Sequence, residues 1–398
     1  MVKITSKPLN KTIEIDRLIG SSKSGISGPT IIFTGGIHGN EPSGVFALHQ
    51  IFSEFNEKGI KLDKGSFYGI AGNLPALERG ERFHKKDLNR LWTSERMKLL
   101  ENNELSFDND DTQQQIEIYA AIKLIMDNEE GPFYFIDLHT TSSNTMPFLT
   151  VNDSLLNRKY TEQYPVPMIL GIEEYLDGPL LSFVNKLGYV AFGYEAGQHD
   201  DIKAIENNVS FIYLSLFYTG CLNKNESDFI KHYDRLWQTC KQVKGIFEII
   251  YRHNLNSFDS FEMNSGFVNF QRIEKGENLA KQNNKALNSP LRGLIFMPLY
   301  QSKGSDGYFI VHKIRPIFLY FSEVLRKIRA DKLLPISPGI KWASDKKDVL
   351  IVNLKLARFF SKQIFHLFGY RSKMINDNKM IITNREAASR NEDYKHES

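Results

Sequence analysis

Cysteine is nearly absent from this chain, and so is any long apolar run. The only cysteines among its 398 residues, Cys221 and Cys240, do not form a CxxC pair. This excludes a network of disulfides and a thiolate metal site, so any metal must be held by histidine and carboxylate ligands. No stretch approaches the roughly 18 consecutive apolar residues of a membrane-spanning helix, and the first ten residues lack the apolar core of a secretory signal. We therefore expect a cytoplasmic protein without stable membrane insertion.

The chain also lacks a strong excess of either charge. Its 50 lysines and arginines against 47 aspartates and glutamates give a formal net charge of +3 at pH 7. Such a balance gives no general attraction to polyanions, so we expect no nucleic-acid partner. The hydrophobic share of 41% is typical of a globular protein, and the length allows two or three domains. Composition is compatible with a monomer and with a homo-oligomer.

The first two-thirds of the chain alternate short β-branched or aromatic runs with helical patterns, which predicts an α/β sheet covered by helices. Polar residues follow several of these runs. His38 and Glu41 lie in a glycine-bearing loop after the predicted strand 30–34, and His139 follows a predicted strand over 133–138. Because the C-terminal ends of parallel strands share one edge of a sheet, where ligands collect, we expect these side chains near that edge.

His38 and Glu41 place an imidazole and a carboxylate three residues apart, and both groups are good zinc ligands. An HxxE pair also arises often by chance, as a solvated histidine near a glutamate. His139 favours the zinc interpretation, because three ligands from two strand ends leave coordination positions open, as in a catalytic zinc site. Taken alone, His139 is better explained as a histidine that bonds backbone groups at a strand end.

Four motifs in order along the chain resemble signatures of the succinylglutamate desuccinylase/aspartoacylase family, a branch of the zinc carboxypeptidase clan. They are Gly35-Gly36-Ile37-His38-Gly39-Asn40-Glu41, Arg82-Phe83-His84-Lys85-Lys86-Asp87-Leu88-Asn89-Arg90, Asp137-Leu138-His139 and Tyr194-Glu195-Ala196-Gly197. The resemblance spans about residues 30 to 310. It implies a zinc-carboxypeptidase-like mixed sheet flanked by helices, followed by a small C-terminal all-β domain that is barrel-like.

The resemblance also implies a role for each matching residue. His38, Glu41 and His139 match the ligands of one zinc ion per chain. Glu195 matches the general base that activates the attacking water. Arg82 matches the arginine that polarises the scissile carbonyl and stabilises the oxyanion.

Asn89 and Arg90 match the pair that binds a substrate carboxylate, for which a planar guanidinium is well suited. The residues themselves also allow simpler explanations. Asp87-Leu88-Asn89-Arg90 is compatible with a solvated turn, Arg82 with a surface cation and Glu195 with an ion-paired residue at a strand end.

The predicted activity is hydrolysis of an amide bond in a small carboxylate-bearing substrate, as in an N-acyl amino acid deacylase. A metallocarboxypeptidase acting on short peptides would use the same ligands, and an inactive binding module with this fold is the alternative from another class. The presence of all the ligands, the base and both arginines favours an enzyme. The acyl group and the amino acid stay open, because the residues that select them lie in variable loops.

Short strands and Gly/Pro turns begin near residue 258, which predicts a small β domain over 258–314 after a hydrolase domain over 1–257. By the same resemblance, we expect this domain to narrow access to the metal edge. A tyrosine that reaches the site, Tyr300 or Tyr308, is a further candidate.

A helical extension packed on the main body is predicted over 315–375. Apolar residues alternate there with basic ones such as Arg326 and Lys327. The pattern favours a helix packed on the main domain with a solvated basic face over a helix on a membrane surface. The polar stretch 376–398 is expected to be disordered.

Overall fold

The computed structural model of the protein describes residues 1–106, 109–256, 258–357, 362–376 and 378–395. None of the helices in these ranges combines the length and apolarity needed to span a lipid bilayer.

The first part of the chain alternates strands and helices. Its strands are β1 (Val2–Ser6), β2 (Lys11–Ile15), β3 (Leu18–Lys23), β4 (Thr30–Gly35), β5 (Ser66–Ala71), β6 (Phe133–Thr141), β7 (Phe148–Val151), β8 (Met168–Leu170), β9 (Val190–Gln198) and β10 (Ile246–Asn254). Its helices are α1 (Ser43–Lys58), α2 (Leu74–Arg79), α3 (Ser94–Glu101), α4 (Asp110–Asn128), α5 (Leu155–Thr161), α6 (Leu180–Lys186), α7 (Ile202–Tyr218) and α8 (Glu226–Cys240). Short 3-10 turns lie at Leu88–Arg90 and Ile172–Glu174.

The second part is richer in strands. They are β11 (Phe261–Met263), β12 (Arg272–Ile273), β13 (Asn278–Gln282), β14 (Lys285–Asn288), β15 (Gly293–Phe296), β16 (Asp306–Lys313), β17 (Ile340–Trp342), β18 (Val349–Asn353), β19 (Tyr370–Asn376) and β20 (Lys379–Asn384). The helices are α9 (Pro316–Lys327) and α10 (Lys362–Leu367), with a 3-10 segment at Ala330–Ile336.

Eleven strands form one mixed sheet in the order β12-β15-β16-β10-β8-β7-β9-β6-β4-β5-β3. Strands β9, β6, β4 and β5 lie side by side in parallel. Every residue of β4, β5 and β6 is buried, because helices cover both faces of the sheet. The predicted mixed sheet flanked by helices is confirmed, and the parallel strands bring their C-terminal ends to one edge.

The segment 258–314 contributes to two sheets. Strands β12, β15 and β16 extend the large sheet through the antiparallel pairing of β16 with β10. Strands β11, β13 and β14 form a separate three-stranded antiparallel sheet. A barrel is therefore not confirmed for this segment, and its separation as a domain stays a prediction.

The helical extension predicted over 315–375 is wrong in its second half. Strands β17, β18, β20 and β19 form a four-stranded antiparallel sheet with its own core, which includes Leu350, Phe365, Tyr370 and Ile382. Burial alternates along β18, as expected for a strand with one solvated face. The four strands are three to seven residues long, so the alternation is hard to recognise before the pairing is known.

The disordered tail predicted over 376–398 is also wrong for its described residues, whereas Asp377 and residues 396–398 lie outside them. Strand β20 pairs with β18 and β19. Tyr394 is buried, and its hydroxyl accepts a hydrogen bond from the Val190 N–H at 3.0 Å and donates to the Phe133 carbonyl at 2.5 Å. Tyr394 is therefore bound to the first residues of the central strands β6 and β9.

Helix α9 departs from the expected pattern at one basic residue. Arg326 is buried in its contact with the main body, whereas Tyr320 is 61% and Phe321 50% exposed. Lys327 and Arg329 are exposed, as expected for a solvated basic face, so Arg326 is the exception among these three residues. Burial of this guanidinium is possible because carboxylates surround it, as described below.

Candidate active site

The loop between β4 and α1 carries His38 and Glu41 at the C-terminal edge of the sheet. Gly36 adopts a φ of +73°, which favours glycine. Gly39 packs directly on the backbone of α2, where a Cβ atom would lie 2.1 Å from the Ala76 carbonyl carbon. These two glycines allow the loop to turn sharply and hold both side chains against the sheet.

The structure brings His38, Glu41 and His139 together. Their ligand atoms all lie within 4.8 Å of one another, and all three residues are almost fully buried. The Glu41 carboxylate lies between the two imidazoles, with 2.9 Å from Oε1 to Nδ1 of His38 and 2.9 Å from Oε2 to Nδ1 of His139. Two imidazole nitrogens and a carboxylate that converge in this way are a suitable donor set for zinc.

Both histidines are oriented by a second carboxylate on the other ring nitrogen. Asp137 Oδ2 lies 2.7 Å from Nε2 of His139, and Asp87 Oδ1 lies 3.1 Å from Nε2 of His38. Asp137 itself accepts a hydrogen bond of 2.7 Å from the Thr34 hydroxyl. Such outer carboxylates fix the ring orientation and make the imidazoles better metal ligands, so the surroundings also fit a metal centre.

The ionisation of Glu41 and His139 follows from this proximity. Burial alone would raise the pKa of Glu41, but the charges and hydrogen bonds of His38 and His139 hold it well below its usual value. Burial alone would lower the pKa of His139, but Asp137 and Glu41 hold it well above its usual value. The site therefore concentrates carboxylates that stabilise positive charge at its centre.

Glu195 lies on β9 beside this group and lines the same cavity. Its Oε2 atom is buried and has no hydrogen-bond partner among the described residues. Burial, together with the charges of Glu41 and Asp137, raises the pKa of Glu195 to about 8, although His139 and Arg82 act in the opposite direction. A carboxylate in this condition accepts a proton readily near neutral pH.

Arg82 contacts two carboxylates at the edge of the site. Its Nη1 donates to Glu41 Oε1 and its Nη2 to Asp87 Oδ2, both at 3.3 Å. Its side chain is 15% exposed. Charges from His38, Arg82 and Arg90 outweigh the effect of burial and hold the pKa of Asp87 well below its usual value. Asp87 thus fixes both His38 and Arg82.

Asn89 and Arg90 line the same cavity. Asn89 Oδ1 accepts a hydrogen bond of 3.0 Å from the Leu180 N–H, which leaves its amide Nδ2 as the group it can offer to a ligand. Arg90 is 28% exposed and lies 3.9 Å from Asp306 of β16. The guanidinium of Arg90 can therefore leave its weak contact with Asp306 and bind a ligand carboxylate more strongly.

All seven site residues predicted from the sequence line one cavity of about 150 Å³. The segment after β15 lines it too, through Met297, Pro298, Leu299, Gln301 and residues 304–306. Neither Tyr300 nor Tyr308 does so: the Tyr300 hydroxyl donates to the Asn264 and Phe267 carbonyls, and Tyr308 is fully buried. The tyrosine candidates are therefore wrong, and Gln301 reaches the site instead.

The comparisons with known proteins agree with this geometry. The model of the succinylglutamate desuccinylase/aspartoacylase catalytic domain matches residues 27–208. Over this range, which is less than half of its length, the chain is similar to the succinylglutamate desuccinylase/aspartoacylase family. His38, Glu41, Arg82, Asn89, Arg90, His139 and Glu195 all lie within the matched range.

Relatives show how far the likeness extends. A probable aspartoacylase from Nostoc sp. is 37% identical over 116 residues, which are 29% of this chain and 36% of that protein. The match thus spans about a third of the length of this curated relative. A succinylglutamate desuccinylase structure from Vibrio parahaemolyticus has a TM-score of 0.51 at 16% identity and covers 76% of this chain and 85% of its own. A succinylglutamate desuccinylase/aspartoacylase structure from Rhodobacter sphaeroides has a TM-score of 0.51 at 16% identity and covers 73% of this chain and 87% of its own. At this identity the structures establish the shared fold.

Three further residues at this site had no role assigned from the sequence. His199 Nδ1 lies 2.7 Å from the Thr140 hydroxyl and its Nε2 lies 3.3 Å from Gln301 Oε1. Gln301 also accepts from Asn40 Nδ2 at 2.9 Å. Glu173 lines the cavity from the turn after β8. The position of His199 at the end of β9 was a usable signal, whereas Gln301 and Glu173 reach the site only through tertiary contacts.

Proposed function

We propose that this chain is a zinc-dependent amidohydrolase that cleaves the amide bond of a small carboxylate-bearing substrate, of the N-acyl amino acid class. The observation that carries the proposal is the convergence of His38, Glu41 and His139 beside Glu195, whose Oε2 atom has no hydrogen-bond partner among the described residues. The match of residues 27–208 to the family's catalytic domain supports a deacylase-like activity. A zinc ion held by the three ligands would supply a Lewis acid for the carbonyl oxygen and would lower the pKa of a bound water.

Glu195 acts as the general base in this proposal. Its carboxylate takes a proton from the attacking water and later delivers it to the nitrogen of the leaving amine. The raised pKa supports this role, because a base whose pKa lies near the working pH both accepts and returns the proton. The pairing of β9 with β6 keeps the carboxylate close to His139.

Arg82 stabilises the oxyanion that forms as water adds to the carbonyl carbon. Its guanidinium contacts Glu41 and Asp87 through long hydrogen bonds of 3.3 Å, so it can turn toward a stronger acceptor as negative charge develops. Asn89 and Arg90 bind the substrate carboxylate and align the amide with Glu195. A fixed carboxylate also reduces the entropic cost of bringing the amide and the water together.

The shape of the cavity favours a deacylase over a carboxypeptidase. Residues 297–299, 301 and 304–306 line the cavity, and Gln301 bonds to both Asn40 and His199, so that we place this segment as a cover over the site. Such a cover admits a small acyl amino acid more readily than a peptide. It also excludes water, which strengthens the interactions of Arg82 with the developing charge.

The proposal is tested with purified protein in two measurements. Metal analysis should find one zinc per chain, and a panel of N-acyl amino acids and short peptides should identify N-acyl amino acids as the better substrates. Hydrolysis of peptides alone would assign the chain as a carboxypeptidase. Absence of both bound metal and hydrolysis would make it a binding module.

A further inference from the structure

The catalytic cavity continues away from Glu195 along one face of the sheet. Ala191, Gly193 and Glu195 alternate on this face of β9, and Thr150 is paired with Gly193. A Cβ atom at position 193 would lie 2.5 Å from the Thr150 hydroxyl, so glycine is needed for these strands to approach here. We name this extension the side pocket, and its lining is formed by Thr150, Asn152, Glu173, Leu181, Ser182 and Ala191.

Glu173 is the acidic residue of the side pocket. It is 3% exposed, and its Oε2 atom is buried without a hydrogen-bond partner among the described residues. Its other oxygen, Oε1, accepts a hydrogen bond of 2.9 Å from Arg385 Nε. A buried carboxylate oxygen without a partner costs free energy, which a bound hydrogen-bond donor would recover.

Arg385 does not satisfy Glu173 fully, because it is shared with Glu174. Arg385 Nη2 donates to Glu174 Oε1 at 2.6 Å, and the same oxygen lies 2.8 Å from His366 Nε2. Glu174 faces a different cavity, between the main body and α9 and α10. The two neighbouring glutamates therefore share one anchor, but only Glu173 faces the catalytic cavity.

The side pocket lies next to the residues assigned to the substrate carboxylate. The backbone N–H of Trp92 donates to the Gly178 carbonyl at 3.0 Å, and the backbone N–H of Leu180 donates to Asn89 Oδ1 at 3.0 Å. The segment from Glu173 to Leu180 is thus bonded directly to the segment that carries Arg90. An amino acid held by its carboxylate at Arg90 can extend its side chain toward Glu173.

We infer that the side pocket binds the side chain of the leaving amino acid and selects one that ends in a cationic amine. The inference rests on the proposed hydrolase function. An ammonium group has three donors: one can go to Glu173 Oε2, and the Thr150 and Ser182 hydroxyls and the Asn152 amide oxygen can accept the others. A substrate of this class carries a carboxylate at one end and an ammonium at the other, which matches the opposite charges of Arg90 and Glu173.

The test compares two substrates that differ only by an ammonium in place of a methyl group. These are the derivatives of ornithine and norleucine that are acylated on the α-amine, with the acyl group that the substrate panel selects. The ratio of their kcat/KM values is measured for the wild type, for Glu173→Gln and for the matched control Glu174→Gln. Glu173→Gln keeps an oxygen that can accept from Arg385, so the anchor of the C-terminal segment is retained.

We expect the wild type and Glu174→Gln to favour the ornithine derivative about 10- to 100-fold, the scale of one or two charge-assisted hydrogen bonds. Glu173→Gln should lose most of this preference. Equal rates for the two substrates in the wild type would overturn the inference while N-acyl amino acid hydrolysis stands. An equal loss of preference in both variants would overturn it as well, since it would reflect the shared anchor and not the side pocket.

Calorimetric binding of free ornithine and norleucine gives a readout that needs no turnover. The wild type should bind ornithine more tightly, and Glu173→Gln should discriminate less between the two. This preference in a protein without hydrolytic activity would support the side pocket although the proposed function fails. Equal binding of both amino acids by the wild type would overturn the inference.

Discussion

His139 and Glu195 occupy paired positions on the adjacent parallel strands β6 and β9. The ladder between these two strands, and not a loop, therefore sets the spacing between a candidate metal ligand and the proposed base. Asp137 lies two residues before His139 on the same face of β6, and its Oδ2 atom is 2.7 Å from Nε2 of the His139 ring. This arrangement holds the group in the rigid part of the fold and leaves the substrate contacts to the surrounding loops.

Loss of either histidine should remove the metal. We expect His38→Ala and His139→Ala to bind less than a tenth of the wild-type zinc, because each removes one of three protein ligands. His84→Ala is the control, since His84 is 43% exposed and does not line the cavity. Metal content by atomic emission is the measurement. Wild-type metal content in both site variants would mean that the ion is held elsewhere.

Glu195→Gln should fold and retain zinc but lose activity by about two to four orders of magnitude, the usual scale for general acid/base catalysis. The amide preserves the shape of the side chain but cannot accept a proton. Its kcat and metal content are measured together with those of the wild type. Undiminished turnover by this variant would assign the base to another residue.

The activity of the wild type should rise with pH as Glu195 loses its proton. Burial raises the pKa of Glu195 from 4.5 to about 8, and the positive charge of a bound zinc ion would lower it. The acidic limb of the kcat/KM profile is therefore expected between these two values, with the deprotonated form active. A profile that falls as pH rises through this range would contradict the role of a base.

Arg90 should discriminate substrates by their carboxylate. Replacing that carboxylate with a neutral amide should reduce the transition-state stabilisation by the wild type by about 1.5 to 3 kcal/mol per charge-assisted hydrogen bond lost. The same replacement should hardly change the stabilisation by Arg90→Ala. Arg79→Ala, at a position that is 40% exposed and outside the cavity, should behave as the wild type does. The comparison uses kcat/KM for the acid and the amide. Equal discrimination by all three proteins would remove Arg90 from the site.

The cover formed by residues 297–306 should limit substrate length. Lys303 donates to the Phe83 carbonyl at 2.9 Å and Gln301 accepts from Asn40, so the cover touches two sides of the opening. A variant with this segment shortened should hydrolyse tripeptides better relative to acyl amino acids. The control is a variant in which Asn283 and Asn284, in the turn between β13 and β14, are both replaced by glycine. Efficient tripeptide cleavage by the wild type, or an unchanged preference in the shortened variant, would contradict the role.

The stability of the fold should depend on the buried ion pair of Arg326 with Asp153. Arg326 Nη2 lies 2.8 Å from Asp153 Oδ2, and its Nη1 lies 3.1 Å from Glu386 Oε1. Arg326→Ala leaves buried carboxylates without this partner and should reduce the free energy of unfolding by about 3 to 5 kcal/mol. Lys327→Ala, which removes an exposed pair with Glu323, should cost less than about 1 kcal/mol. Urea denaturation of both variants measures the difference, and similar values would contradict the assignment.

The same pair should make stability sensitive to acid. Burial alone would raise the pKa of Asp153, but Arg158, Arg326 and Arg385 hold it well below its usual value. Because the folded pKa is the lower one, the stabilisation is complete above the unfolded pKa of about 3.9 and is lost as the pH falls below it. The difference in stability between the wild type and Arg326→Ala should therefore shrink on acidification. A difference that stays constant down to about pH 2 would contradict this linkage.

Much of the site could be predicted because its residues lie at local features of the sequence. His38, Glu41, His139 and Glu195 each lie at or just beyond the end of an apolar run, and parallel pairing brings such ends to one edge. The roles of Arg82, Asn89 and Arg90 came from the resemblance, because a lone arginine in a polar loop has no periodic pattern of its own. Their placement in one cavity agrees with that assignment.

The sequence by itself thus determined the central parallel strands, the loop after β4 and the strand-end positions of His139 and Glu195. Only the tertiary structure decided that β16 would continue the large sheet, that β17, β18, β19 and β20 would form a separate sheet and that Arg385 would bind Glu173. The physical reason is the range of the interactions. The periodicity of burial and the polar residues at strand ends depend on a few neighbouring residues. Contacts such as that of Gln301 with Asn40 join distant segments and leave no local pattern.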